Sequence, residues 1–360
     1  IAARSDYIDL YGPIATDYPW VVEGSTVVVD VGKSIELYAT GVAEGCNVTW
    51  LVDSGRDHHA GPPATWQGKF KVPGVYAAEL TEHCPASWKA SLSSSSPVEE
   101  RTVSGSIIST HVRREIRDLL PEDMDSLVEA MLIMYETPTE RGQEKYGADF
   151  VGLDTFQLWH HTNAAQRDAD QIHQGVGFLL QHAKITLLFE RSLQSINYQL
   201  SLPYWDTTIE MAKIESNVTD SIWDPVIWSP KLFGSVLTYS DELQELSDEA
   251  LSDALYGSDT AMRRWAIPDG PFAYFRQPQH LNTTKDADTT SGALPTPRNA
   301  YGLLRAPWNN NPSPYVTRYP SKRAILPDCF AHRTYALEEG GPSSDHENGK
   351  GWSMTSWMYG

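Results

Sequence analysis

The chain has 360 residues, 41% hydrophobic and 21% charged, enough to bury a sizeable core as one large domain or two ordinary ones. Its formal net charge of −19, from 28 basic against 47 acidic side chains, repels polyanions and so excludes nucleic acid and an anionic membrane surface as partners. No apolar run approaches the roughly 18 residues of a bilayer span, so no membrane span is expected.

Residues 1–23 read as an irregular lead-in containing Pro and Tyr; the opening IAARSDY carries neither Met nor a signal peptide, as expected of a processed or partial segment. Residues 24–105 read as a domain of short strands. STVVVDVGKSIELYATG alternates apolar and polar positions, and CNVTWLVDSG and GKFKVPGVYAAELTEHC follow with β-branched residues and Gly, Pro and Asp turns. This pattern predicts an immunoglobulin-like or PKD-like β-sandwich, with Trp50 where a core Trp would sit. SLSSSSPVEE (Ser91–Glu100) reads as a turn or edge loop near its end. Such a domain implies binding or spacing rather than chemistry.

Cys46 and Cys84 both fall in this region and could form one disulfide, which leaves Cys329 as a buried thiol or paired elsewhere. No CxxC pattern is present, which disfavours a zinc ribbon or an iron–sulfur site. Three sequons, at Asn47, Asn217 and Asn282, favour a secreted, extracellular glycoprotein.

The register changes near Ser109, opening a second domain over 106–360. HVRREIRDLLPEDMDSLVEAMLIMYETP reads as helical, with Pro121 at a helix start and acids in the first turn. Met124, Leu127, Val128, Met131, Leu132 and Tyr135 recur at helical spacing as one apolar face. Gly152–Gln166 predicts a second helix and Phe178–Ile196 a third, with Ile185, Leu188, Phe189 and Leu193 on one stripe. After LPYWDTT the chain reads as loop-rich, and APWNNNPSPYVTRYP excludes a long helix or central strand there.

Four of the 11 histidines, His160, His161, His173 and His182, lie within 23 residues. Imidazoles without thiolates suit copper, and the absence of HExxH disfavours a zinc protease. Nine residues at ~100° each put His173 and His182 on opposite faces of a straight helix, so they share an ion only if the helix starts between them. Gly175 and Gly177 are where such a break would sit, with His160 completing three imidazoles from the preceding helix.

The run resembles the copper A region of the type-3 copper family: tyrosinases, catechol oxidases and molluscan hemocyanins. Phe178, Leu179, His182, Phe189 and Glu190 stand in register with the family's pattern, and LPYWD follows. VRREIRDLLPEDMDSLVEA and YGLLRAPWNNNPSPYVTR are also similar, to algal and protist members. The resemblance covers about Ser109 to Arg333 and implies a mainly α, loop-rich, tyrosinase-like helical-bundle domain, making the whole multidomain.

It also implies His160, His173 and His182 as ligands of a first copper. His160 is preferred over His161 because the family has an aromatic four residues before the first ligand, where Phe156 stands. Leu180-Gln181 and Ala183 depart from the family's Pro-Trp and Arg, and Gln171 replaces the Cys that in some relatives crosslinks to a His. Glu190 and Asp206 are candidate second-layer or helix-packing partners.

The family's site holds two coppers with three imidazoles each, because O2 is bound between them. The second set, H-x3-H followed by DPxFxxHH, is not found; His280, His332 and His346 are weak candidates. Three readings stay open: the second set lies beyond residue 360, the chain is a processed piece that pairs with another, or it kept the fold and lost the chemistry. The implied function is oxidation of phenols and o-diphenols to o-quinones by copper and O2. The alternative is a non-catalytic structural or assembly glycoprotein, and a homo-oligomer is left open in both.

Overall fold

The computed structural model describes residues 1–15, 25–42, 45–53, 65–84, 100–164, 177–219, 225–235, 267 and 269–273. The chain divides into two compact units, the first formed by Ile1–Arg113 with Asn197–Ser201 and the second by the remainder.

In the first unit, β1 (Ala2–Arg4), β3 (Ile35–Tyr38) and β5 (Thr65–Gly68) form an antiparallel sheet in the order β1-β3-β5, with Ala3, Leu37 and Trp66 in one register row. A second sheet has the order β2-β7-β6-β4, from β2 (Ser25–Asp30), β7 (Glu100–Thr110), β6 (Gly74–His83) and β4 (Asn47–Val52). The β2–β7 pairing is parallel, and the others are antiparallel. Alternation sends Val48, Trp50 and Val52 inward and leaves Asn47 and Leu51 outside. They join Val27, Val29, Ala78, Leu80 and Ile107 in a single core that also contains Ala3, Leu37 and Trp66 of the other sheet. Trp50 is 1% exposed, and burying a side chain of this kind contributes about 1.5–3 kcal/mol. Cys46 and Cys84 are joined in a disulfide just beyond the Asn47–His83 pair.

Two sequence expectations change here. The start of the chain is not irregular: β1 joins the sheet, and α1 (Asp6–Tyr11) follows, capped by the Ser5 hydroxyl accepting from the Ile8 N–H at 3.2 Å. α1 forms because it can bury Tyr7 and Ile8. The second change is that strand β7 runs on to Thr110, because Ile107, Ile108 and Ser109 lie buried between β2 and β6. Ile116–Asp118 is then one 3-10 turn, and helix proper starts only at Pro121. Of Ser91–Glu100, only Glu100, which opens β7, lies within the described residues.

In the second unit, α2 (Pro121–Glu136) starts with Pro at its first turn beside Glu122 and Asp123. Its apolar stripe of Met124, Val128, Met131, Leu132 and Tyr135 packs on Ile227, Leu232, Ile267 and Phe272, in turn segments rather than another helix. An adjoining face, Leu127, Ala130 and Met134, is also buried, and α2 contacts α4 (Leu153–Ala164) and α5 (Gly177–Ile196). Two further helices were not expected from the sequence. α3 (Thr139–Tyr146) is polar and has no apolar stripe; any Cβ at its Gly142 would run into the Phe150 ring, and the Gln143 amide donates to the Phe150 carbonyl at 3.2 Å. α6 (Thr207–Glu215) is followed by Asn217 with φ 57°, after which the Val218 N–H donates back to Lys213 O at 2.9 Å.

On α5 the most buried residues near its C-terminal half include polar ones, Glu190 and Ser192. Each is compensated. Glu190 Oε1 accepts from Leu202 N–H at 2.9 Å, and the Ser192 hydroxyl accepts from Val151 N–H at 2.9 Å and donates to Val151 O at 2.8 Å.

Candidate metal centre

α4 carries Phe156 and His160 four residues apart, hence on one face, and α5 carries Phe178 and His182 with the same spacing. The two helices are braced through Phe156, 5% exposed, whose ring centre lies 5.5 Å from that of Phe189. This brings the His160 and His182 rings to 6.4 Å between centres, at 79°. His182 Nδ1 lies 2.8 Å from Phe178 O, and the two rings are 4.3 Å apart. A carbonyl oxygen only accepts, so Nδ1 carries the proton, and in the neutral imidazole the lone pair is on Nε2. That is the tautomer a metal ligand needs, and a backbone carbonyl is a usual partner for the other nitrogen.

Distance provides a second test of fit. With metal–N bonds of about 2.0–2.1 Å, an ion sits roughly 3.2 Å from each ring centre, so two rings sharing it are at most about 6.4 Å apart. That limit is reached only with the two metal–N bonds in line; at a tetrahedral angle the ring centres lie about 5 Å apart, so from the observed 6.4 Å the pair must close by about 1 Å to share an ion. What fits is the donor chemistry: two imidazoles from neighbouring helices, the donor type that copper accepts, with the His182 tautomer set for it.

The other expected residues are distributed as follows. His173 lies outside the described residues, as does the expected break before α5, whose first described residue is Gly177. His161 is on α4 one position past His160, but its side chain lies outside the described residues, as do His280, His332, His346, Asn282 and Cys329. Glu190 is eight residues beyond His182, some 12 Å along the helix, where it holds Leu202. Asp206 caps α6: its Oδ1 accepts from the Thr208 N–H at 3.0 Å and hydroxyl at 2.5 Å, and these bonds hold its carboxyl below the usual range. Among the described residues, Cys46, Glu82 and Cys84 form a group of three potential ligands, but both sulfurs belong to the disulfide.

A charged cluster escaped the sequence reading. Glu115 Oε1 accepts from Arg117 Nη2 at 2.7 Å, and Oε2 accepts from Arg117 Nε at 3.0 Å and N–H at 2.7 Å. Arg117 also pairs with Glu210, which accepts from Trp205 Nε1 at 2.9 Å. Glu115 further receives the Asp206 N–H at 3.3 Å, while Tyr204 exchanges backbone bonds of 2.9 Å with Arg114 and Ile116. Burial pushes the Glu115 carboxyl up, but the bonds from Arg117 and Asp206 outweigh it, and the net shift is downward. The Glu115 bond, against burial and with Glu210, raises Arg117. The segment Leu202–Asp206 is thus fixed at one end by Glu190 and at the other by this cluster. The signal available beforehand was a Glu and an Arg two residues apart, upstream of a Trp-Asp pair; nothing in spacing alone joins residues 115 and 210.

Residues 151–338, more than half of the chain, match the family described as the common central domain of tyrosinase. Over 117 residues the chain is 29% identical to hemocyanin type 2 unit e of Rapana venosa, an overlap of 31% of this chain and 27% of that protein. The chain therefore spans about a quarter of that relative's length.

Proposed function

Because the chain belongs to the tyrosinase-like, type-3 copper family, we propose that it binds copper through His160, His173 and His182 and oxidises phenols and o-diphenols to o-quinones with O2. The observation that carries this reading is the His160–His182 pair, with rings 6.4 Å apart and His182 Nδ1 committed to Phe178 O. Bound copper would supply the redox chemistry and the binding of O2. The chain's own residues do the rest. His160 and His182 present imidazoles from two helices, and the Phe178 carbonyl keeps the His182 proton on Nδ1. Phe156 and Phe189 fix the spacing of the helices.

In this reading the chain is a secreted, extracellular glycoprotein, with an immunoglobulin-like or PKD-like domain over 24–105 and the copper domain over 106–360. Among the described residues no helix is long and apolar enough to cross a membrane. The test is copper content of the purified native chain together with o-quinone formation from an o-diphenol. Copper bound at the native chain with quinone release supports the proposal; a chain that takes up no copper overturns it.

A second reading is favoured by the absence of an H-x3-H pair from the sequence. Here the chain is a structural or assembly glycoprotein that retains the fold. Copper-free material forming a regular extracellular assembly would decide for it.

A further inference from the structure

The turn that closes α6 sets a backbone requirement at Asn217. This residue has φ 57°, and beyond it the Val218 N–H reaches back to Lys213 O at 2.9 Å. A bond of that span over a left-handed residue is the Schellman arrangement, in which Gly is the usual occupant and Asn the next. Conformation alone therefore does not ask for Asn, since Gly would serve as well. Two neighbouring features point outward instead. Thr219 completes the sequon Asn217-Val218-Thr219. Val218 stands where such a turn commonly makes an apolar contact back onto its helix, yet it is 75% exposed. Asn217 is itself exposed and lies outside any strand or helix. Its side-chain amide has no partner among the described residues, so the turn closes without it.

We propose that Asn217 carries an N-linked glycan, and that this end of α6 is a solvent face of the assembled molecule. The inference rests on the secretory route proposed above. It holds for both readings of the function, because neither an oxidase nor an assembly component could use a glycan-bearing turn as a contact with a second copy of the chain. In the modification the Asn217 amide nitrogen bonds to the anomeric carbon of a lipid-diphosphate-linked oligosaccharide. The bond from that carbon to the diphosphate breaks, the lipid diphosphate leaves with the electron pair, and the amide gives up one proton. The product costs nothing in packing, because Asn217 faces solvent, and Val218 is the apolar side chain next to it that the sugar would cover.

The test is made on the native chain, read by glycopeptide mass. A glycan is expected at Asn217, and an exoglycosidase is expected to trim it while the chain is folded. Two variants of the full secreted chain assign the signal to this position. Asn217→Gly keeps a residue suited to the left-handed turn, and Thr219→Ala keeps Asn217; each should lose this glycan and no other. An unmodified Asn217 overturns the proposal. If Asn47 or Asn282 is then occupied, the secretory route still stands, whereas three bare sequons sink both. A glycan at Asn217 that resists trimming until the chain is unfolded overturns the solvent face. Copper content of the same samples reports on the proposed activity independently.

Discussion

At His182 a single hydrogen bond selects the nitrogen that a metal can use. Phe178 O holds Nδ1 at 2.8 Å, one helical turn back, so the tautomer of the His182 ring is set within α5 itself. His182→Ala is therefore expected to abolish copper binding at this site, measured as metal stoichiometry after equilibrium dialysis. His161→Ala should leave it unchanged, because successive positions on a helix are ~100° apart and position 160 is the one that shares a face with Phe156; equal losses would assign the ligand to both positions. Farther along the same helix Ser192 makes two bonds of 2.9 and 2.8 Å to the backbone of Val151, in a fully buried position. Ser192→Ala strands a buried donor and acceptor, and should cost about 1–3 kcal/mol in denaturant unfolding. The histidine cluster was visible in the sequence, with its proposed ligand set implied by the family resemblance; the role of Ser192 was not, since a Ser on a helix is ordinarily a solvated residue.

Among the elements, the strap Leu202–Asp206 shows what fixes the helices to one another. Glu115, Arg117 and Glu210 are nearly buried, with side-chain exposures of 8%, 15% and 1%, and their bonds hold the strap to α6 and to the turn before α2. Removing one partner leaves an uncompensated buried charge, so Arg117→Ala should destabilise by about 3–5 kcal/mol, read from the unfolding midpoint. The pH dependence has a definite sign. Glu115 titrates below its ordinary 4.5 in the folded chain. Its contribution is therefore fully present above that value and lost as pH falls through the lower folded one. Thermal melts from pH 6 downward should show a fall below about pH 4.5 that is reduced in Glu115→Gln, though that variant starts less stable. The α3 and α6 helices belong to this scale too. They lack an apolar stripe of their own and form because Phe150 and the capped Asp206 turn give them something to pack on or start from.

Across the whole molecule, the two sheets close on one core while their chain order is scrambled: β1, β3 and β5 lie in one, β2, β4, β6 and β7 in the other. Contacts of this kind join distant residues, and the Cys46–Cys84 bridge with its separation of 38 shortens the loop that must be closed. By loop entropy a bridge of that span contributes roughly 4 kcal/mol. Reduction, or Cys46→Ser with Cys84→Ser, should lower the melting point of the β unit by a corresponding amount, followed by near-ultraviolet circular dichroism of the buried Trp50 and Trp66.

Local sequence was enough to locate α2, α4 and α5 and the β-rich first unit, because each is written in neighbouring residues whose burial repeats at 3.6 or 2 positions; the family resemblance rested on particular residues, His182, Phe189 and Glu190 among them. Tertiary structure decided the rest. It assigned the strands to two sheets, packed the apolar face of α2 on Ile227, Leu232, Ile267 and Phe272, drew Glu210 to Arg117 and set the His160 and His182 rings 6.4 Å apart. The physical reason is the same in each case. A side chain's partner across space is chosen by packing and charge compensation, and neither leaves a fixed interval in the chain.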